Sequence, residues 1–395
     1  MRKNRFTALF IALCMLFALL SSTAFASGEE TAATAKNVII MIGDGMGENH
    51  LMLAREQGYD LFMDANCDLR GQSKTHSASH VTTDSAAGGT ALACGVRVIN
   101  GTLGVFVFDP LGVFVQTRSF TENAIAHGMK TGIVTSDKTS GATPASFSAH
   151  VVSRDKNDVI SEQQLASDID LIWGADEEAA TREAAETNGW KYITTKEEMN
   201  ALVPGERSFG QFSGDTWRVP LKADDPSPSL AEMSAKAIEL LNADNDRGFF
   251  LMIEGAHIDK NSHRKENGPD YPEKIRDTAN AVKGFDDAIR TAVNFARADG
   301  NTIVLVTADH ETGDLYQENG RYTFHSGSHT SNNVPVLVYG CDDLFAPGQA
   351  VENRSIPVRL GQKLGWGRRE FPQADPGMLF RVFKKMTPFC GKLAA

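Results

Sequence analysis

Residues Asn37–Gly47 read NVIIMIGDGMG, an apolar run followed at once by an aspartate between glycines. Asn37–Ile42 predict a buried strand, and Asp44 follows the carboxyl end of that strand. Open α/β sheets bind their ligands at that end of their strands. A glycine-rich nucleotide loop is the alternative, but the acidic partner of such a loop is not evident. We therefore interpret Asp44 as a candidate metal ligand.

Two further apolar runs end in the same way. Phe249–Ile253 is followed by Glu254, and Thr302–Thr307 is followed by Asp309 and His310. A single acidic residue or histidine is usually an ordinary polar group. Its recurrence after three predicted strands favours a common site at one edge of an α/β sheet.

A D-x-x-x-H pattern follows the second of these strands. Asp259 and His263 are four residues apart, which on a helix places both side chains on one face. His329 precedes another predicted strand, Val334–Tyr339. Imidazole with carboxylate suits zinc, whereas oxygen-only ligands suit magnesium.

A candidate nucleophile lies in Val81–Ala91, which reads VTTDSAAGGTA. The small residues after Ser85 allow a loop to turn directly into a helix, with Ser85 in its first turn. The alternative is a helix cap at Asp84 or Ser85 without catalytic meaning. A serine at a helix start beside two metal ions would be placed for in-line phosphoryl transfer.

Composition bounds the class of protein. The 395 residues carry a formal net charge of -11, which argues against a nucleic-acid-binding surface. Residues 1–26 have the basic start, apolar core and A-x-A end of a signal peptide, so we expect export. Residues 27–36 predict a disordered tether, and the mature chain shows no transmembrane segment.

Four cysteines remain after that signal, Cys67, Cys94, Cys341 and Cys390. Their even number is compatible with disulfides, whose pairing the sequence does not reveal, and free thiols are the alternative. Residues 155–228 are charged and predict helices without chemistry, with Trp173, Trp190 and Trp217 as packing anchors. Val105–Phe108 and Val113–Val115 predict a hairpin.

Six segments together resemble the bacterial alkaline phosphatase family, in that family's order. They are IGDGMG at Ile42–Gly47, VTTDSAAGGTA at Val81–Ala91, ATPASFSAHVVSR at Ala142–Arg154, EGAHIDKNSH at Glu254–His263, TADHETG at Thr307–Gly313 and GSHT at Gly327–Thr330. The resemblance implies a three-layer α/β/α sandwich with a large, mostly parallel central sheet. It also implies that 37–395 form one catalytic domain.

The resemblance carries roles to single positions. Ser85 would become phosphoserine, Arg154 would clamp phosphate oxygens, and Lys260 would assist through water. One zinc ion would be held by Asp259, His263 and His329, and a second by Asp44, Asp309 and His310. A magnesium ion would be held by Asp44, Thr143 and Glu254. For Arg154, a surface salt bridge is the alternative.

Two departures from the family pattern stand out. Gly141 occupies a position where the family has an aspartate or histidine, which predicts a weakened magnesium site or another occupant. A neighbouring carboxylate such as Asp137 is the alternative source of the missing group. The apolar Val105–Val115 stretch has no functional interpretation.

The resemblance implies a periplasmic, cell-surface or extracellular phosphomonoesterase, and the family's frequent dimers allow a homodimer. A phosphodiesterase or sulfatase of the same superfamily is the rival enzyme. Ser85 lacks the C/S-x-P-x-R context of a sulfatase nucleophile, and Arg154 would compete with the second ester group of a diester. A non-catalytic phosphate- or metal-binding protein is the rival of another class.

Overall fold

The computed structural model describes residues 33–108, 113–212, 227–264, 271–367 and 370–371. Its strands are β1 Asn37–Gly43, β2 Leu69–Lys74, β3 Val105–Phe108, β4 Val113–Gln116, β5 Lys130–Lys138, β6 Leu171–Ala175, β7 Lys191–Ile193, β8 Ser208–Phe212, β9 Phe249–Gly255, β10 Thr302–Thr307, β11 Glu311–Thr312, β12 Leu315–Glu318, β13 Arg321–Phe324, β14 His329–Thr330, β15 Val334–Tyr339 and β16 Ala350–Glu352.

Its helices are α1 Glu48–Glu56, α2 Phe62–Asn66, α3 Ser85–Cys94, α4 Phe120–Ala126, α5 Ala142–Ser146, α6 Asn157–Ala166, α7 Arg182–Thr187, α8 Lys196–Asn200, α9 Leu230–Asn242, α10 His257–Ser262, α11 Tyr271–Asp299 and α12 Ile356–Lys363. A 3-10 turn covers Asn353–Ser355. In the described part of the chain, no helix is long and apolar enough to cross a bilayer.

The described residues form one ten-stranded sheet in the order β16-β2-β15-β10-β1-β9-β5-β6-β8-β7. Among these strands, β15 runs antiparallel to both of its neighbours, and the other pairings are parallel. Parallel strands are normally covered on both faces, which explains why the central strands are apolar throughout rather than alternating.

Alternate residues of β1 enter two different cores. Ile39 and Met41 pack in one cluster with side chains of α9 and α11. Val38, Ile40 and Ile42 pack in the other, with side chains of α3, α4 and α12. Because successive residues of a strand point to opposite faces, helices cover both faces of the sheet. The predicted three-layer α/β/α sandwich is confirmed.

The strand register aligns the predicted site residues. Ile42 pairs with Glu254 of β9 and with Thr307 of β10, and Thr135 of β5 also pairs with Glu254. The carboxyl ends of four neighbouring strands therefore meet at one edge of the sheet. Asp44 lies just beyond that edge, as the strand pattern predicts.

The prediction for residues 155–228 was incomplete, because β6, β7 and β8 lie within that segment besides three short helices. Each strand has five residues or fewer, too short for a clear periodicity beside charged, helix-forming neighbours. Trp173 and Trp190 are buried as expected. Trp217 lies outside the described residues.

The predicted signal peptide, most of the predicted tether and Cys390 also lie outside the described residues. Within the tether, the backbone N–H groups of Thr34 and Ala35 donate to the carbonyl of Lys363 at 2.8 and 3.0 Å, which ties this part to the sandwich. Cys67, Cys94 and Cys341 are free thiols. β3 and β4 pair antiparallel, as the predicted hairpin requires, and residues 109–112 between them lie outside the described residues.

Candidate active site

Ser85 occupies the first turn of α3 and is almost completely buried. The Asp84 side chain accepts a hydrogen bond from the Ala87 N–H at 3.0 Å and caps the helix, so the alternative of a cap at Asp84 or Ser85 is realised at Asp84. A Cβ atom on Gly88 would lie 2.8 Å from the Asp309 carbonyl oxygen, so only glycine lets α3 approach the end of β10 this closely. Ser85 Oγ consequently lies 3.1 Å from His310 Nε2.

Asp44, Asp309 and His310 form a buried group beside that serine. His310 Nε2 lies 3.2 Å from Asp309 Oδ2 and 3.5 Å from Asp44 Oδ1. Neither of these buried carboxylate oxygens has a hydrogen-bond partner. Burial and the charge of Asp309 raise the pKa of Asp44 well above its ordinary value, and burial and Asp259 raise that of Asp309 to about 7. A bound cation would remove this conflict, so the donor set fits a metal ion.

Asp259, His263 and His329 form a second group. His263 Nε2 lies 3.2 Å from Asp259 Oδ1 and 3.0 Å from His329 Nε2. The Nδ1 atom of His263 donates to the Gly327 carbonyl oxygen at 2.7 Å, and that of His329 donates to the Thr83 carbonyl oxygen at 3.0 Å. In neutral rings, both Nε2 lone pairs then face each other, which is repulsive unless a cation or proton lies between them.

The two groups share His310. Ligand atoms of Asp44, Asp309 and His310 lie within 4.8 Å of one another, and so do those of Asp259, His310 and His329. The sequence resemblance assigned His310 to the second zinc alone, whereas the structure places its ring against both groups. The rings of His310 and His329 stack with centroids 3.6 Å apart.

Thr143 and Glu254 lie on the opposite side of Asp44. Thr143 Oγ1 donates to Asp44 Oδ2 at 3.4 Å, and the Thr135 hydroxyl donates to the Glu254 carboxylate. Burial, reinforced by the charge of Asp137, raises the pKa of Glu254 to about 8. Asp44, Thr143 and Glu254 offer the oxygen donors that a hard cation prefers, so this donor set fits a magnesium ion.

Arg154 and Lys260 are the cationic residues predicted for the site. Arg154 Nη1 lies 3.4 Å from Asp84 Oδ2, and its charge lowers the pKa of His310 after the larger effects of burial and the other histidines. Lys260 forms an ion pair with Asp137. The structure therefore places every predicted site residue in one contiguous region.

Sequence patterns missed one side chain of this region, Thr312, and named another, Asp137, only as an alternative. The Thr312 hydroxyl donates to the Asp259 carboxylate and lies 3.2 Å from His310 Nδ1. Asp137 lies beside Gly141, at the end of β5. Position was the available signal for Thr312, since it follows His310 by two residues, whereas Asp137 had been named as the alternative source of the group missing at position 141.

Comparisons with known proteins identify the family of this chain. The family model described as alkaline phosphatase matches residues 35–173 and 166–355. Alkaline phosphatase 4 of Bacillus subtilis is 32% identical over 75% of this chain and 66% of its own length. Alkaline phosphatase of Escherichia coli is 31% identical over 72% of this chain and 73% of its own length. The chain thus spans about two thirds of the first of these relatives.

A solved alkaline phosphatase structure has a similar fold. Alkaline phosphatase from the Antarctic bacterium TAB5 superposes with a TM-score of 0.70 at 29% identity, covering 84% of this chain and 99% of that chain. A variant of that enzyme with a histidine replaced by glutamate was solved with Mg bound. Because the family match covers most of the chain, and the strand ends assemble the expected groups, this chain belongs to the alkaline phosphatase family.

Proposed function

We propose that the protein is a metal-dependent phosphomonoesterase that hydrolyses phosphate monoesters through a phosphoserine on Ser85. The contact that carries the proposal joins Ser85 Oγ to His310 Nε2 at 3.1 Å, where the two carboxylate–imidazole groups meet. A hydroxyl that served only as a helix cap would not need to face two candidate metal positions, and Asp84 already caps α3.

We assign one zinc ion to Asp259, His263 and His329, and a second to Asp44, Asp309 and His310; His310 lies close to the ligand atoms of both groups. We assign a magnesium ion to Asp44, Thr143 and Glu254. When bound, these ions supply the positive charge that lowers the pKa of the serine hydroxyl and stabilises the leaving oxygen. The unpartnered oxygens of Asp44 and Asp309 support the assignment.

The chain's own residues then carry the transfer. Ser85 Oγ forms a bond to phosphorus while the bond from phosphorus to the alcohol oxygen breaks, and the alcohol leaves with the proton that the serine gives up. Water next displaces Ser85 and releases inorganic phosphate. The first turn of α3 offers backbone N–H groups to the phosphoryl oxygens, and Arg154 can hold two of them with its planar fork.

Arg154 also favours monoesters over diesters. Its guanidinium lies beside Asp84, immediately before the nucleophile, at 3.4 Å from that carboxylate. A cation bound to two phosphoryl oxygens occupies the space that the second ester group of a diester needs. A sulfatase would need a nucleophile context that Ser85 lacks.

We also propose that the chain is exported by residues 1–26 to the periplasm, the cell surface or the exterior, and that 37–395 form its catalytic domain. The substrate is a small phosphate monoester rather than nucleic acid, since the net charge is -11. A homodimer is the assembly that we expect for the family.

Hydrolysis of a chromogenic phosphate monoester, compared with a diester and a sulfate ester, tests this function. We expect turnover of the monoester to be fastest, to disappear on chelation and to return with zinc, and the melting temperature to follow the same course. Ser85→Ala should fold and bind zinc but lose roughly 10²-fold or more in kcat, because the nucleophile is gone. Near wild-type turnover by Ser85→Ala, or by protein shown to be metal-free by elemental analysis, would exclude the mechanism.

A further inference from the structure

The backbone conformation at position 141 does not require a glycine. Its φ of -51° and ψ of 150° are open to residues with side chains. A Cβ atom added there would lie 2.6 Å from Asp137 Oδ2, 3.1 Å from Asp137 Cγ and 3.0 Å from the Lys138 carbonyl oxygen. What glycine provides at 141 is therefore room for the Asp137 carboxylate.

The end of β5 brings Asp137 to that space. The register between β5 and β6 shifts between Val134 and Lys138, so the strand is irregular where Asp137 lies. The Asp137 N–H donates to Thr135 Oγ1 at 2.8 Å, and the same threonine hydroxyl donates to the Glu254 carboxylate. The backbone of Asp137 is thus attached to the residue that orients a proposed magnesium ligand.

The Asp137 carboxylate faces the cationic end of the site. Its Oδ1 atom forms an ion pair with Lys260 Nζ, while its Oδ2 atom points toward position 141. The side chain of Asp137 is 20% exposed, so the pair is only partly screened by solvent. The charge of Asp137 also acts on Glu254, which places it within electrostatic reach of the proposed magnesium position.

We propose that Asp137 is a positioning residue that holds Lys260 over the site, and that it replaces the side chain missing at position 141. This inference rests on the proposed function. Positions 137 and 141 then form an exchangeable pair, because a carboxylate at either position can orient Lys260. Carboxylates at both positions would crowd each other.

An exchange experiment tests the pair. In zinc-loaded protein, Asp137→Ala should lower kcat/KM for a chromogenic phosphate monoester and weaken magnesium binding, each by about tenfold or more, as loss of supporting groups around metal sites does. Gly141→Asp by itself should also impair both. The double variant Asp137→Ala/Gly141→Asp should regain most of both losses, which a purely structural role of Asp137 would not produce.

The controls separate folding, charge and function. Glu178→Gln removes an exposed carboxylate and should leave both measurements unchanged. Asp137→Asn keeps the shape of the side chain without its charge, and its kcat/KM and magnesium affinity should resemble those of Asp137→Ala. This variant tests the inference even if Gly141→Asp does not fold. In a Lys260→Ala background, Asp137→Ala should add no further loss.

A double variant no better than Asp137→Ala, or an Asp137→Asn variant with wild-type kcat/KM and magnesium affinity, would overturn the inference. Titration calorimetry with magnesium does not depend on turnover. A wild-type protein that hydrolyses no monoester would therefore contradict the proposed function, while the magnesium affinities of the variants would still decide for or against the pair.

Discussion

At the scale of single residues, the Thr312 hydroxyl connects the two proposed zinc groups. His310 Nδ1 lies 3.2 Å from Thr312 Oγ1, and that hydroxyl donates to the Asp259 carboxylate. Because the hydroxyl hydrogen is used toward Asp259, its lone pair accepts from His310 Nδ1–H. His310 is thereby held in the tautomer whose Nε2 lone pair faces Asp44 and Asp309.

We predict that Thr312→Val lowers kcat/KM and zinc affinity by about 10- to 100-fold, since valine keeps the shape but cannot fix the His310 tautomer. Thr312→Ser is the matched control and should retain most of both. Steady-state kinetics and zinc titration would measure the effects. Equal losses in the two variants would mean that the methyl group matters rather than the hydroxyl.

At the scale of elements, the start of α3 combines a helix cap with the proposed phosphate site. Asp84 Oδ1 accepts from the Ala87 N–H, while Oδ2 accepts from the Gly101 N–H at 2.9 Å and lies 3.4 Å from Arg154. One carboxylate therefore begins the helix and places the arginine. The start of α4 offers a comparison, because Ser119 caps it with a hydrogen bond from the Glu122 N–H at 3.1 Å.

We predict that Asp84→Ala and Ser119→Ala each reduce the free energy of unfolding by about 0.5–2 kcal/mol, the usual value of a helix cap. Only Asp84→Ala should raise KM for monoesters and the inhibition constant of inorganic phosphate, because only there is Arg154 released. Urea unfolding and inhibition kinetics test this. A comparable rise of KM in Ser119→Ala would show that a general loss of stability, rather than the release of Arg154, raises KM.

At the scale of the whole molecule, the partly buried His150 connects α4 to the loop that carries Arg154. Its Nδ1 lies 2.9 Å from the Gly104 carbonyl oxygen and its Nε2 lies 3.0 Å from Glu122 Oε1. Two acceptors require two N–H donors, which only the imidazolium has. Burial lowers the pKa of His150, but the hydrogen bond and charge of Glu122 outweigh it, so the pKa lies above 6.5. Burial likewise raises the pKa of Glu122, yet His150 brings it below 4.5.

These shifts predict a pH window for stability. The His150 contribution is complete below pH 6.5 and is lost as pH rises through its raised pKa, whereas the Glu122 contribution is complete above pH 4.5 and is lost as pH falls through its lowered pKa. His150→Gln should therefore reduce the free energy of unfolding most between these pH values, by about 1 kcal/mol after allowing for the exposure of Glu122.

Denaturant unfolding of wild type and His150→Gln across pH measures that difference. The exposed His80 offers the control His80→Gln, which should change the free energy of unfolding by less than about 0.5 kcal/mol, as surface substitutions usually do. A loss of unfolding free energy in His150→Gln that stays constant from pH 5 to pH 9 would mean that the imidazole is neutral in the folded protein.

The sequence by itself determined the central strands and the start of α3, and it named the candidate site residues. Each of those features depends on neighbouring residues, such as the apolar run of β1 ahead of Asp44 or the cap at Asp84. Short strands such as Leu171–Ala175 were missed because their burial comes from pairing with distant strands, on which local periodicity carries no information.

Only the tertiary structure decided how those residues meet. The hydrogen bond from Thr312 to Asp259 joins groups separated by 53 positions, and the ion pair of Lys260 with Asp137 joins groups separated by 123. The placement of the Asp137 carboxylate beside Gly141 follows from the irregular end of β5. Such contacts arise when parallel pairing brings distant strand ends to one edge, and a linear pattern of residue types does not specify which side chains then touch.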